Sequence, residues 1–433
     1  MRVLLIGSGG REHALALKIK QSQKLTKLYC APGNPGTESF ARNLELDINL
    51  HSNVIEFCKI NRIDLVVIGP EQPLVDGLSD SLKLAGLKVF GPSSNSAQIE
   101  SSKAFAKQIM QEANVPTANY DEFNSSQLLE VLTYIKQISY PTVIKADGLA
   151  AGKGVFICND LIEAQNAIHE IFENKIFGES GSKLIIEEFL EGEEVSIFAI
   201  TDGEKFVCLP AAQDHKRIGD GDTGKNTGGM GAYAPAPIIT TDLQKKIEET
   251  IIKPTLKQMS NLGNKFVGCL YAGLIIMKDG PKVIEFNCRF GDPETQVVLP
   301  LLDGDFLQLL YSAAEGNLDE NSVKYSGGSS VCIVAASKGY PDEYKKGFEI
   351  TGLDSSIENV IIYHAGTKKE NDKILTNGGR VLGVTSIINN YDIKLAKEVA
   401  YKAINKIHFD GIYFRKDIAD KAFQHLQELP NHF

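Results

Sequence analysis

The chain of 433 residues is 43% hydrophobic and 23% charged, an ordinary globular composition at a length that predicts about three domains. Its formal net charge of −10 and the lack of a basic run argue against nucleic acid as a partner. No apolar run reaches membrane-spanning length, which argues against a membrane partner, and the seven scattered cysteines contain no C-x-x-C pair. We therefore expect a cytoplasmic protein with reduced thiols.

The first hundred residues alternate short apolar runs with amphipathic segments. Strands are predicted at 3–6, 28–31, 44–48, 65–68 and 89–90, and helices near 11–22, 52–61 and 74–86. Strands that alternate with helices predict a parallel sheet, whose ligands gather at the carboxyl ends of the strands. The loops at these ends are rich in glycine and proline, which let a ligand approach the backbone closely.

The remainder of the chain predicts a small mixed unit, a longer β-rich region and a final domain. A helix is predicted from Ser101 to a point before Pro116. Strands at 141–145 and 183–187, the β-rich region from 193 to about 300, a long polar loop at 213–237, a hinge at 325–330 and a helix near 391–407 follow. The long loop is either a mobile surface segment or a closing lid that carries substrate ligands.

A carboxylate and a carboxamide stand two residues apart on the strand predicted within 283–294. Side chains at i and i+2 of a strand share a face, so Glu285 and Asn287 can present oxygens to one cation while Phe286 points into the core. Mg²⁺ is typically held by one or two protein oxygens together with substrate phosphates, which predicts a nucleoside triphosphate nearby. A solvated strand end is the alternative, and this short motif alone leaves it open.

Gly7-x-Gly9-x-x-Glu12 begins like a dinucleotide fingerprint, because it follows a strand and opens a helix. It lacks the third glycine, and no acid ends the second strand, so a nicotinamide oxidoreductase is disfavoured. The turn can still offer backbone N–H groups to a small phosphate ester, with Arg11 as a charge partner. A tight turn without a ligand is the rival interpretation.

A loop of small residues between Lys145 and Val155 carries lysines at both ends. It is one residue short of a Walker A loop and has Gly154 in place of the hydroxyl residue, so that motif is excluded. Such a hairpin can nevertheless fold over a triphosphate, and phosphate contact is favoured over solvated lysines. Farther on, the strand ending near Glu187 can expose backbone to an adenine edge, although acidic runs are mostly solvated faces.

Taken together, these motifs resemble the phosphoribosylamine–glycine ligases of the ATP-grasp superfamily over essentially the whole chain. The resemblance rests on segments 7–13, 31–34, 69–71, 145–154, 213–217, 226–231, 285–294, 364–367 and 378–383. It implies an α/β and α+β multidomain fold with an N-terminal parallel α/β domain, a two-part ATP-grasp core and a small C-terminal α+β domain. The expected bounds are 1–102 for the N-terminal domain, 103–120 with 191–325 for the core, 121–190 for its lid subdomain and 326–433 for the C-terminal domain.

The resemblance also implies a reaction in which ATP, glycine and 5-phosphoribosylamine give glycinamide ribonucleotide, ADP and phosphate through glycyl phosphate. ATP and Mg²⁺ or Mn²⁺ are implied, in a monomer or weak homodimer that resembles the stand-alone form of the enzyme. Two rivals are an ATP-grasp ligase for another carboxylate and amine, and a nucleotide-binding regulatory protein without catalysis. The first would differ in the N-terminal motifs and in 214–231, and the second would tolerate loss of Glu285 or Asn287.

Site residues follow from the motifs that match the family. The resemblance implies metal ligands at Glu285 and Asn287, ATP contacts at Lys103, Lys145, Gly152, Lys153, Glu187, Leu190 and Glu194, glycine and acyl-phosphate contacts at Arg289, Asp214 and Lys216, and phosphoribosylamine contacts at Gly9, Gly10 and Glu71. One departure is Lys225, where many relatives carry proline. Proline fixes φ and lysine does not, so we expect a more mobile loop there.

Overall fold

The computed structural model describes residues 1–149, 154–354 and 357–426. Gly152 and Lys153 of the predicted phosphate loop lie outside these residues. All seven cysteines lie inside them, as free thiols. Within the described ranges, no helix is long and apolar enough to cross a membrane.

The first hundred residues form a parallel sheet with strand order β3-β2-β1-β4-β5, which confirms the predicted fold of this segment. Its strands are β1 (Arg2–Gly7), β2 (Lys27–Pro32), β3 (Arg42–Asn43), β4 (Leu65–Ile68) and β5 (Val89–Phe90). Its helices are α1 (Gly10–Lys20), α2 (His51–Asn61), α3 (Glu71–Val75), α4 (Leu78–Leu84) and α5 (Ser94–Ser101). Strands β1 and β4 are apolar and buried along nearly their whole length, as expected for strands covered on both faces.

Two predicted elements of this domain were wrong in detail. The strand predicted at 44–48 is instead β3, and the segment after it is irregular although Leu44, Leu46 and Ile48 pack against the core. An extended segment that buries one side shows the same alternation of apolar and polar residues as a strand. The helix predicted at 74–86 is broken into α3 and α4 at Gly77, whose φ of +83° a helix does not permit.

A second sheet follows, which we call the lid sheet, with antiparallel strands in the order β6-β9-β7-β8. Its elements and the preceding helix are α6 (Lys103–Glu112), β6 (Tyr120–Asn124), α7 (Leu128–Tyr134), β7 (Thr142–Ala146), β8 (Val155–Cys158), α8 (Leu161–Phe172) and β9 (Lys183–Glu188). Helix α6 begins at Lys103 because Ser102 leaves the helical conformation and its hydroxyl accepts the Phe105 N–H at 3.1 Å. The predicted helix from Ser101 therefore starts two residues later.

The core sheet has the order β11-β10-β16-β17, and all its pairs are antiparallel. The elements of this region are β10 (Glu193–Thr201), β11 (Phe206–Cys208), β12 (Gln213–Asp214), β13 (Arg217–Gly219), β14 (Thr223–Asn226), β15 (Gly231–Ala234), α9 (Thr241–Ile247), α10 (Lys253–Asn261), β16 (Gly268–Met277) and β17 (Gly280–Asn287). Strand β17 lies at the edge of the sheet and carries the predicted metal ligands.

The last third of the chain contributes most of an antiparallel sheet with the order β12-β15-β20-β24-β21, in which β25 also pairs with β20. Its elements are α11 (Glu294–Val298), β18 (Leu302–Gly304), α12 (Phe306–Glu315), β19 (Val323–Tyr325), β20 (Ser329–Ser337), β21 (Val360–His364), β22 (Thr367–Glu370), β23 (Lys373–Thr376), β24 (Arg380–Ile388), α13 (Ile393–Ile404), β25 (Ile412–Tyr413) and α14 (Ala422–Leu426). Strands β12 and β15 come from the segment expected to belong to the ATP-grasp core, so the two regions share this sheet.

The polar segment at 213–237 is not the long irregular loop that the sequence predicted. It contains β12 and β15, and between them β13 and β14 form a hairpin. Arg415 of the C-terminal region is fully buried and holds this hairpin, because its guanidinium donates to Asp222 at 2.8 Å and to the Arg217 carbonyl at 3.0 Å. The same guanidinium contacts Asp417 at 2.6 Å.

Replacing Arg415 with Met should lower the free energy of unfolding by about 3 kcal/mol, because Asp222 and Asp417 would lose a buried partner. Urea unfolding measures this change. The matched control is Lys225→Met, since Lys225 ties the same hairpin to Asp342 through contacts of 2.8 and 2.9 Å, but both side chains are well exposed. An exposed pair contributes roughly 0–1 kcal/mol, so equal losses in the two variants would contradict the anchoring role of Arg415.

Candidate active site

The predicted metal strand alternates as expected. Glu285, Asn287 and Arg289 are partly exposed, whereas Phe286 and Cys288 between them are buried. In the pairing with β16, Glu285 lies opposite Gly273, where an added Cβ would come within 3.1 Å of the Glu285 Cγ. The glycine therefore leaves the room that the glutamate side chain occupies.

The side chains of Glu285 and Asn287 make no hydrogen bond to any other residue that the structure describes. Burial opposes ionisation of Glu285, but the charges of Lys216, Lys145, Lys103 and Arg289 outweigh it and lower the pKa of this carboxyl below its ordinary value. A carboxylate and a carboxamide with uncommitted oxygens fit a hard divalent cation that takes its remaining ligands from phosphate and water.

Three side chains form a buried cluster beside this strand: Lys107, Lys145 and Glu187. We call this cluster the Lys–Glu–Lys triad. Glu187 from β9 lies 2.8 Å from the Lys145 ammonium and 3.2 Å from that of Lys107. The Lys145 ammonium also donates to the Ile284 carbonyl of β17 at 3.2 Å. The lid sheet and the core sheet therefore meet at a point where two of the predicted ATP contacts adjoin the metal strand.

Lys103 is the first residue of helix α6 and lies beside the start of the loop between β7 and β8. Its ammonium donates to the Gly148 carbonyl at 3.1 Å, and Asp147 accepts the Ala104 N–H at 2.7 Å. Strands β7 and β8 pair on both sides of the loop, which confirms the predicted hairpin. Lys103 and Lys145 thus lie at the base of this hairpin.

The segment after β9, strand β10 and the segment around β12 bring four further candidates to the core sheet. Leu190 follows β9 as a half-buried residue, and Glu194 of β10 is exposed and lies 2.9 Å from the Lys216 ammonium. Asp214 is buried, and burial raises the pKa of its carboxyl to about 7 against the opposing charge of Lys216. Lys216, a candidate glycine contact, therefore lies directly against Glu194, the candidate ribose contact.

The Arg289 guanidinium forms ion pairs with two carboxylates. Its guanidinium lies 3.1 Å from Glu71, which follows a strand of the N-terminal sheet, and 2.8 Å from Glu100 of α5. Glu100 also accepts the Cys288 N–H at 2.8 Å. This arrangement places the predicted substrate contact Glu71 beside the predicted glycine contact Arg289, and it fixes the end of β17 against the N-terminal domain.

The glycine-rich turn after β1 forms a cradle with loops from two other regions. The Gly9 N–H donates to Glu12 at 2.7 Å, and the Asn34 amide donates to the carbonyls of Ser8 at 2.8 Å and His364 at 2.9 Å. A Cβ at Gly10 would lie 2.6 Å from a side-chain nitrogen of Gln296. A larger residue at this position would therefore require the Gln296 side chain to move.

Asp292 and Arg380 connect the cradle to the core. Asp292 accepts the Arg11 N–H at 3.2 Å and lies 3.4 Å from the Arg380 guanidinium, which also donates to the Asp292 carbonyl at 2.6 Å. The Arg380 guanidinium donates to the Gly228 carbonyl as well. The loops at 226–231 and 285–294 are thus held together by a residue of the C-terminal region.

Several residues of the site escaped the sequence interpretation, namely Lys107, Glu100, Asp292 and Arg380. Lys107 stands four residues after Lys103, the spacing that puts two side chains on one helix face, and this was an available signal. Asp292 and Arg380 lie inside segments that carried the family resemblance but received no role. Nothing near Glu100 in the sequence indicates its partner, Arg289.

Two sheets that meet at buried lysines, beside a carboxylate and a carboxamide that fit a divalent cation, are typical of an ATP-grasp enzyme. The family models described as phosphoribosylglycinamide synthetase N domain, ATP-grasp (A) domain and C domain match residues 1–100, 101–295 and 330–421. The chain belongs to the phosphoribosylglycinamide synthetase family.

Known relatives are similar over nearly the whole chain. The phosphoribosylamine–glycine ligase of Caldanaerobacter subterraneus subsp. tengcongensis is 48% identical over 97% of this chain and 99% of its own length. The crystal structure of phosphoribosylamine–glycine ligase from Thermotoga maritima superposes with a TM-score of 0.83 at 34% identity, over 97% of this chain and all of that chain. The biotin carboxylase domain of Hydrogenobacter thermophilus 2-oxoglutarate carboxylase, at 16% identity and a TM-score of 0.72 over 95% of this chain and 91% of its own, shares the fold.

Proposed function

We infer that the protein joins glycine to 5-phosphoribosylamine with ATP, giving glycinamide ribonucleotide, ADP and phosphate in de novo purine biosynthesis. The observation that carries this inference is the match of all three family domains in order, together with a relative that bears the same activity in its name. The N-terminal motifs and the segment 214–231, which would distinguish another ATP-grasp ligase, support this assignment.

The reaction proceeds through glycyl phosphate. A carboxylate oxygen of glycine attacks the γ-phosphorus of ATP, and the bond to the bridging oxygen of ADP breaks. The amine nitrogen of phosphoribosylamine then attacks the acyl carbon, inorganic phosphate leaves, and the nitrogen loses a proton as the amide forms. The enzyme supplies no nucleophile, because positioning and charge neutralisation account for most catalysis of phosphoryl transfer.

Glu285 and Asn287 would hold the divalent cation that ATP-grasp enzymes use with ATP. Their oxygens suit Mg²⁺, with Mn²⁺ as a substitute of similar ligand preference. The bound cation supplies neutralisation of charge on the phosphates. Lys103 and Lys145 add positive charge from the side of the lid, and their positions beside the metal strand support roles as phosphate contacts.

The remaining assignments rest on position. Glu187 and Leu190 are proposed to contact adenine, Glu194 the ribose, and Gly152 and Lys153 the phosphates. Arg289, Asp214 and Lys216 are proposed to contact glycine and the acyl phosphate, and Gly9, Gly10 and Glu71 the phosphoribosylamine. We further propose a cytoplasmic enzyme that is a monomer or weak homodimer.

A coupled assay of ADP release tests the assignment. With purified protein and Mg²⁺, ADP should form only when ATP, glycine and phosphoribosylamine are all present, and one glycinamide ribonucleotide should form for each ADP. Omission of glycine or of phosphoribosylamine serves as the internal control. Failure to form the product, or equal ADP release with another amino acid in place of glycine, would overturn the proposed function.

A further inference from the structure

Lys107 is a buried ammonium with a specific set of partners. Its residue is only 2% exposed, and its nitrogen lies 2.9 Å from the Thr117 hydroxyl, 3.2 Å from the Ala118 carbonyl and 3.2 Å from a Glu187 carboxylate oxygen. Burying a lysine is unfavourable unless its charge is compensated. These specific partners indicate that the burial of Lys107 is not incidental packing of a surface side chain.

The net charge of the Lys–Glu–Lys triad suggests the role of Lys107. Glu187 is 5% exposed and is shared between two ammonium groups, one on each oxygen. A pair of Lys145 and Glu187 alone would carry no net charge, and a neutral pair attracts phosphate weakly. With Lys107 on the other carboxylate oxygen, the triad carries one net positive charge beside the metal strand.

We propose that Lys107 is a positioning residue for ATP binding. Lys107 pairs with one carboxylate oxygen of Glu187 and so gives the triad a net positive charge, which lets Lys145 attract the phosphates. This proposal rests on the proposed use of ATP but not on the identity of the other two substrates. Because Lys107 faces Glu187 and the lid strands, it acts through Lys145 and Glu187. It is therefore distinct from the residues proposed to contact ATP.

The proton on Lys107 gives the proposal a pH signature. Burial lowers the pKa of Lys107 to about 8, with Glu187 opposing the shift. The other charged or titratable groups that face it are Lys145, Glu188 and Tyr120, whose ring lies 5.1 Å from the Lys107 nitrogen. As pH rises through about 8, Lys107 should lose its proton and the triad its net charge, so the affinity for MgATP should fall.

Two variants of Lys107 test this by calorimetric titration with MgATP in the absence of the other substrates, so the result does not depend on ligase activity. Lys107→Met should weaken binding about 10-fold at pH 7 and remove the loss of affinity between pH 7 and 9, as expected for removal of one nearby charge. Lys107→Arg retains a charge at both pH values, so it should bind near wild-type strength at each.

Lys183→Met is the matched control, because Lys183 pairs with Glu122 at 2.7 Å on the same lid sheet but is well exposed. Its affinity and pH dependence should be those of the wild type. Wild-type affinity in Lys107→Met at pH 7, or a wild-type affinity that does not fall between pH 7 and 9, would overturn the proposal. If Lys107→Met does not fold, the wild-type protein and Lys107→Arg decide the question through their contrasting pH dependence.

Discussion

Replacing Glu285 with Ala should lower turnover by at least about 100-fold, which corresponds to about 2.7 kcal/mol of lost transition-state stabilisation. The physical reason is that Glu285 offers the only carboxylate of the proposed metal pair, and its side chain has no hydrogen bond within the described residues that would make it structural. Lys216, Lys145 and Lys103 would then remain as the nearby positive charges, without the charge neutralisation that the cation would supply. Steady-state turnover at saturating ATP measures the effect.

A matched control for Glu285 lies at the opposite end of the same hairpin. Asp279, in the turn between β16 and β17, is 65% exposed, and Asp279→Ala should retain turnover. Titration with Mg²⁺ separates a metal role from a general loss of fold, since Glu285→Ala should need a higher concentration of the cation for half-maximal rate. Near-normal turnover in Glu285→Ala at low Mg²⁺ would remove the proposed metal site.

Replacing Arg289 with Met should lower both stability and activity. Without the guanidinium, Glu71 and Glu100 would be left close together in a poorly solvated region, and loss of one partner of a buried ion pair costs about 3–5 kcal/mol. Burial already raises the pKa of Glu100 above its ordinary value despite the charge of Arg289. Urea unfolding should therefore show a loss in this range, and turnover should fall at least about 100-fold if Arg289 also contacts glycine.

A double variant separates these two roles of Arg289. In Arg289→Met with Glu100→Gln, the unpaired charge at Glu100 is removed, so much of the stability should return while the activity stays low. Glu100→Gln alone is the control, and it should affect activity less than either variant of Arg289. Recovery of activity together with stability in the double variant would show that Arg289 acts only as a structural bridge.

Local patterns predicted the parts of the structure that depend on neighbouring residues. The alternation at 285–289 identified which side chains share a face, because the period of a strand is fixed by its backbone. The hairpin that follows Lys145 was also predicted, because a run of small residues between two apolar, strand-like runs is typical of a turn between paired strands. The parallel N-terminal sheet followed from the same local alternation of strands and helices.

Contacts between distant parts of the chain could not be predicted in the same way. Strands β12 and β15 are short, and β15 pairs with β20, which follows nearly a hundred residues later, so the intervening polar sequence resembled an irregular loop. The partners Arg289 and Glu100 are 189 residues apart in sequence. Lys107 has the helical spacing to Lys103, but a lysine on a helix is usually solvated, and its burial depends on how the lid packs over α6.

The most direct measurement of the central claim, that ATP activates glycine as an acyl phosphate before glycine is joined to phosphoribosylamine, follows the carboxylate oxygens of glycine. When glycine carries a heavy oxygen isotope in its carboxylate, one labelled oxygen should appear in the inorganic phosphate for each glycinamide ribonucleotide formed. The label is transferred because the oxygen that attacks the γ-phosphorus leaves with the phosphate when the amine attacks the acyl carbon. Mass spectrometry that finds product formation with unlabelled phosphate would contradict this mechanism.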